Sequence, residues 1–117
     1  MGHLSTHVLD TARGVPAAGV LVEVRLVVGH ESTRVAAAAT NAQGRTDAPL
    51  IAGDQLERGT YELTFHVGDY FRSAGMPLSD PPFLDQVVIR IGIADTTAAY
   101  HVPLLISPYG YTTYRGT

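Results

Sequence analysis

Hydrophobic and polar residues alternate with a period of two along most of this chain. Val20, Val22, Val24, Leu26 and Val28 fall on one face, with Glu23 and Arg25 on the other. Tyr61, Leu63, Phe65 and Val67 repeat the pattern against Glu62, Thr64 and His66, and Val87, Ile89, Ile91 and Ile93 do so opposite Arg90 and Gly92. Successive side chains of a strand point to opposite faces, so the pattern predicts strands with one face on a core. Leu4 to Leu9 and Ala99 to Ile106 read as further strands, Gly110 to Gly116 as the last, and Thr33 to Thr40, with its four alanines, as a weaker one.

Turn-forming residues separate these runs at Arg13-Gly14-Val15-Pro16, Asn41-Ala42-Gln43-Gly44, Ala52-Gly53-Asp54, Asp80-Pro81-Pro82 and Ser107-Pro108-Tyr109-Gly110. One short helix is expected over Asp69 to Ala74, with Asp69 as its cap and Gly75 then Pro77 as its stop. Short strands at this spacing predict an all-β sandwich or barrel, as a single domain over residues 1–117. In the run 99–106, Tyr100, Val102, Leu104 and Ile106 share a core face, which leaves His101, Pro103 and Leu105 pointing outward. An outward apolar stripe marks a partner surface or ligand groove, so an oligomer with a groove at its interface is expected. Pro103 lacks a ladder donor, which predicts a sheet edge or a bulge there.

Composition narrows the chemistry. The 117 residues include no cysteine, which excludes a disulfide scaffold, a thiolate zinc site and a cysteine nucleophile. Eleven acidic against eight basic residues give a net charge of −3, so neither nucleic acid nor an anionic membrane is an expected partner. All eight bases are arginine, which excludes a lysine Schiff base. No apolar run approaches the ~20 residues of a membrane span, and Met1-Gly2-His3-Leu4 lacks the pattern of a secretory leader, so a cytoplasmic location is the default expectation.

Five histidines are present. His7 lies mid-strand and His101 lies on the outward face of the run 99–106; periodicity alone makes both surface or internally satisfied strand residues. His30 and His66 read as solvated, and His3 has no assigned role. Neither a His-x-x-x-His pair, a nucleophile elbow nor a phosphate-binding glycine loop occurs. Arg45 follows a turn and is a solvated loop residue unless it meets the histidines, where its planar fork suits anionic oxygens. The closing run from Ser107 to Thr117 holds three tyrosines and an arginine, a composition that belongs packed against something.

Leu4-Ser5-Thr6-His7-Val8-Leu9-Asp10-Thr11-Ala12-Arg13-Gly14-Val15-Pro16-Ala17, Thr40-Asn41-Ala42-Gln43-Gly44-Arg45-Thr46-Asp47, Tyr100-His101-Val102-Pro103-Leu104-Leu105-Ile106-Ser107-Pro108-Tyr109-Gly110-Tyr111 and the closing Tyr114-Arg115-Gly116-Thr117 resemble, in order, the motifs of the transthyretin-related proteins. The resemblance implies an eight-stranded sandwich, assembled as a homotetramer by pairing of dimers, with sites at the dimer–dimer interface. His7, Arg45 and His101 match the histidine, arginine and histidine of the enzyme branch, which the hormone carrier lacks. Thr117 departs from that branch's terminal serine, keeping the hydroxyl and adding a methyl.

The resemblance therefore implies hydrolysis of 5-hydroxyisourate, an unstable product of urate oxidation, to 2-oxo-4-hydroxy-4-carboxy-5-ureidoimidazoline, with no metal and no organic cofactor. His7 and His101 would jointly activate water, Arg45 would bind the ring and offset developing charge, and Tyr114, Arg115 and Thr117 would complete the substrate pocket. The alternative is a carrier of a planar aromatic ligand in the same channel.

Overall fold

The computed structural model describes residues 2–117, so Met1, the first residue of the expected domain and leader reading, lies outside the described residues. Its strands are β1 (His3–Asp10), β2 (Val15–Pro16), β3 (Leu21–Val28), β4 (Glu31–Ala39), β5 (Ile51–Ala52), β6 (Gly59–His66), β7 (Gln86–Ile93), β8 (Ala99–Ser107) and β9 (Gly110–Thr113), with one α-helix, α1 (Val67–Ser73). One sheet runs β4-β3-β6-β7, antiparallel throughout. In the other, β1 runs parallel to β8, β9 pairs the far side of β8, and the two-residue β2 and β5 both pair with β1. Together β2 and β5 fill one strand position, which gives the eight positions of the expected all-β sandwich.

The alternation read from the sequence becomes the core. Leu4, Val8, Leu104 and Ile106 of one sheet and Val22, Val24, Leu63 and Phe65 of the other are fully buried. Each such side chain contributes about 1.5–3 kcal/mol relative to exposure. Three polar side chains are buried and satisfied, among them Thr40, whose hydroxyl donates to the Ala17 carbonyl at 2.6 Å. The Thr6 hydroxyl donates to the Val102 carbonyl at 2.7 Å. The Asp10 carboxylate accepts from the Arg13 Nε at 2.9 Å and the Tyr70 hydroxyl at 2.8 Å, and thereby ties α1 to the end of β1.

Departures from the expected elements have local causes. The face begun at Val20 does not continue to Val28, which is 68% exposed. A register shift between Val24 and Arg25 turns the strand, and its end runs out into the hairpin at Gly29. The helix starts at Val67, two residues before the expected Asp69, because Val67, Tyr70 and Phe71 bury against the core. Asp69 consequently sits in the first turn and caps nothing, whereas the predicted stop holds, with Gly75 at φ +80°.

The last strand also differs. Its ladder with β8 ends at the pair Leu104–Thr113, and the chain returns to β8 only where the Gly116 N–H donates to the His101 carbonyl at 2.8 Å. Pro103 is the cause. It lies on the edge of β8 that faces β9, where it has no N–H to offer, and its carbonyl accepts instead from the Thr113 hydroxyl at 2.8 Å. So β8 is an interior strand whose proline opens a gap in the ladder beside His101. Pro103 is buried within the chain and Leu105 half-buried, so the outward stripe is less exposed than its pattern implies.

Candidate active site

On β1 the residues Leu4, Thr6, Val8 and Asp10 face the core, which leaves His3, Ser5 and His7 half-buried on the outer face. The parallel register sets His101 of β8 opposite Ser5 and Pro103 opposite His7. Ser5 Oγ and His101 Nδ1 lie 2.8 Å apart in a hydrogen bond. On its other side the His101 ring meets Gly116, where an added Cβ would stand 2.5 Å from the ring's Cδ2. The ring is thus held between a hydroxyl and a glycine, with Nε2 left for other partners.

His7 Nε2 lies 2.9 Å from the Gln43 carbonyl. A carbonyl only accepts, so Nε2 carries the proton, and a neutral His7 keeps an unprotonated Nδ1.

Arg45 reaches the site through the loop beside β1. Asn41 Oδ1 accepts from the N–H groups of Gln43 and Arg45, and the Gly44 carbonyl accepts from the Val8 N–H at 2.8 Å. Gly44 has φ +76°, and a Cβ there would collide with the Val8 carbonyl. Only glycine brings the loop this close. Arg45 then bridges to His7 as an isolated antiparallel pair.

The electrostatics follow. His101 has its pKa lowered, first by burial and then by the charges of Arg45, His7 and His3, so its neutral form is favoured. Among the described residues none of these four joins an ion pair with a carboxylate. Neither is any group of three or more histidine, aspartate or glutamate residues there placed to hold a metal ion. The face is a set of imidazoles beside an arginine with no carboxylate in ion-pair range of them among the described residues, suited to an oxygen-rich, electron-rich ring and to proton transfer near neutrality.

Two cavities flank it. One, of about 180 Å³, is lined by His3, Ser5, Arg45, Thr46 and Asp47. The other, of about 380 Å³, lies between β7 and the terminal segment and is lined by His101, Tyr100, Tyr114 and Arg115 among others. The chain therefore brings His7, Arg45 and His101 together, with Tyr114 and Arg115 around the second cavity. The Arg115 guanidinium stacks 4.3 Å from the centre of the Tyr100 ring and donates to the Ala99 carbonyl at 3.3 Å. Thr117 is exposed, one residue beyond the Gly116 pairing.

Sequence reasoning overlooked His3, Ser5 and Gly116. Ser5 was legible, since it shares the outer face of the expected strand Leu4 to Leu9 with His7, whereas His3 lies one residue before that strand and joins the face because β1 begins at His3. His66 departs from its solvated reading: it is half-buried, with Nε2 2.7 Å from Glu23 Oε1.

Fold and site together define a transthyretin-type sandwich with a histidine–arginine centre on the outer face of one sheet. The chain belongs to the HIUase/Transthyretin family, whose profile matches residues 4–116. It is 57% identical over 118 residues to a 5-hydroxyisourate hydrolase of Deinococcus radiodurans, covering 99% of this chain and 98% of that one. The 5-hydroxyisourate hydrolase of Klebsiella pneumoniae superimposes with a TM-score of 0.82 at 38% identity, with both chains fully covered. Sea bream transthyretin in complex with thyroxine superimposes with a TM-score of 0.87 at 27% identity, over 97% of this chain and 94% of its own. Shape alone thus fits the hydrolase and the thyroxine-bound transthyretin about equally, and sequence identity separates them.

Proposed function

We propose that this chain hydrolyses 5-hydroxyisourate to 2-oxo-4-hydroxy-4-carboxy-5-ureidoimidazoline, a step of urate breakdown. The observation that carries the reading is the convergence of His7, Arg45 and His101 on one outer face, without a carboxylate partner, in a chain 57% identical to a 5-hydroxyisourate hydrolase. Water adds to a carbonyl carbon of the ring and its proton passes to the histidine pair. The C–N bond then breaks, and the pair returns a proton to the departing ring nitrogen. His7 receives at Nδ1, because Nε2 is committed to Gln43. His101, held neutral and oriented by Ser5, works at Nε2. Arg45 forks onto the ring and offsets charge on the carbonyl oxygen.

Tyr114, Arg115 and Thr117 complete the pocket in this reading, and residues 1–117 act as one domain. The assembly is a homotetramer formed from paired dimers. Supporting it, β7 and β9 are unpaired sheet edges, and Phe83, Tyr109, Tyr111 and Tyr114 are exposed in the single chain. Among the described residues no helix is long and apolar enough to cross a membrane. A cytoplasmic location is part of the proposal.

The test is spectroscopic. Catalytic amounts of the protein added to urate undergoing oxidation accelerate decay of the ultraviolet-absorbing intermediate. A carrier of planar ligands would instead act only in stoichiometric amounts, and that result would overturn the hydrolase reading.

A further inference from the structure

We propose that His3 is a third substrate-contacting histidine, forming with Arg45 the end of the site that binds a carbonyl or carboxylate oxygen of the ring. The inference rests on the hydrolase reading and adds a specificity-determining residue to it. His3 shares the outer face of β1 with Ser5 and His7. At ~3.3 Å per residue it stands about 7 Å from Ser5 along the strand, as His7 does on the other side. His3 and His7 therefore bracket the Ser5–His101 pair. The position is fixed by pairing on both sides, with Ala99 of β8 and Ala52 of β5. Its side chain lines the 180 Å³ hollow together with Arg45, Ser5, Thr46 and Asp47, a space sufficient for the oxygen-bearing edge of a small ring.

The charges facing His3 are Arg45 and Asp47 from the loop, His101 from β8, and His7 on its own strand; Ala52 of β5 brings none. Arg115 is held at the carbonyl of Ala99, the residue opposite His3. The single carboxylate, Asp47, accepts a hydrogen bond from Asn41 at 3.0 Å. The balance is cationic, and the charge of His3 also reaches His101. The imidazole of His3 thus adds a second hydrogen-bonding arm beside Arg45 for an oxygen of the ring.

The test compares steady-state kinetics of wild type, His3→Ala and His3→Lys in one buffer, with substrate made by enzymatic oxidation of urate and thermal melts in parallel. His3→Ala should raise KM about three- to tenfold, with kcat within about twofold. His3→Lys, which returns a donor to the position, should restore most of the low KM. A wild-type KM in His3→Ala, or a KM increase that lysine does not rescue, overturns the proposal. Absence of turnover in wild type itself overturns the hydrolase reading, and this inference with it.

Discussion

The outer faces of the two sheets carry similar residues to opposite ends. On the face of β3 and β6 three basic groups have an acid in ion-pair range, and Arg25 of β3 stands opposite Glu62 in the ladder. His66 meets Glu23 at 2.7 Å, Arg34 reaches the same carboxylate at 3.3 Å, and Arg90 pairs Glu62 at 3.0 Å. Glu23 accordingly has its pKa lowered, first by the hydrogen bond from His66 and then by that from Arg34. On the face of β1 and β8, His3, His7, His101 and Arg45 form no such pair among the described residues. The first face is electrostatically closed and the second is open to an anionic guest. A histidine on the polar side of a strand is thus assigned by whether an acid stands opposite it, not by its period.

The largest expected effect breaks this comparison most directly. His7→Ala or His101→Ala should lower kcat by about 10²- to 10⁴-fold with assembly intact, as removal of a general acid–base group does. His66→Ala, on the closed face, should leave kcat unchanged and lower the melting temperature by a few degrees. Turnover lost in His66→Ala, or retained in His101→Ala, would show that the faces are not divided in this way. Next in size, Arg45→Lys should cost on the order of 10²-fold in kcat/KM, because an ammonium cannot reproduce a fork onto a planar oxygen pair. Steady-state kinetics on the purified variant decide it.

How much of this was legible in the sequence follows from what each feature depends on. The strands were legible because one buried face imposes a period of two, and Leu4, Val8, Leu63 and Phe65 obey it. The resemblance supplied His7, Arg45 and His101 as a set. It did not supply their reason for meeting, which is the left-handed Gly44 that sets the loop against β1. The helix start was missed because Asp69 looked like a cap, whereas burial of Val67, Tyr70 and Phe71 governed the boundary. The Glu23–His66 contact joins residues 43 apart in sequence, and cross-strand register of that span is not written in local pattern. The same holds for Gly116, whose neighbour His101 is specified by the ladder on either side of Pro103.

Gly116 gives the third prediction, intermediate in size. Any side chain there meets the His101 ring at Cδ2 and Cγ, and its Cβ besides, so either the ring turns away from Ser5 or the terminal segment lifts off β8. Gly116→Ala should reduce kcat roughly tenfold, since small displacements of a reacting group are costly. Its melting temperature should stay close to wild type, because the segment lies at the exposed end of the chain. A matching change at Gly14, where nothing lies within 4 Å of an added Cβ although φ is +71°, should affect stability and not kcat. If Gly116→Ala turns over at the wild-type rate, His101 is not held from that side.

The smallest effect is a displacement along the pH axis. His101 is driven toward its neutral form by burial first, then by Arg45, His7 and His3, so its folded pKa lies below its value of ~6.5 in an unfolded chain. Two consequences have definite signs. The part of the acid limb of kcat/KM that belongs to His101 should lie below the ordinary imidazole range, and Arg45→Gln should move it to higher pH, because one of the depressing charges is gone. In stability, the unfolded chain binds a proton as pH falls through ~6.5 while folded His101 does not, so acid progressively favours unfolding until the folded pKa is reached. His101→Asn removes that term. Its stability should therefore decline less than wild type's as the pH is lowered from about 7 to about 5, as chemical denaturation at each pH would measure. On the closed face, His66→Asn removes an imidazole hydrogen-bonded to Glu23, whose ionised form that contact favours, so the variant should lose stability at neutral pH instead. Parallel pH profiles for the two asparagine variants would mean that both histidines experience the same surroundings. The electrostatic division between the faces would then fail at the point where it is most finely drawn.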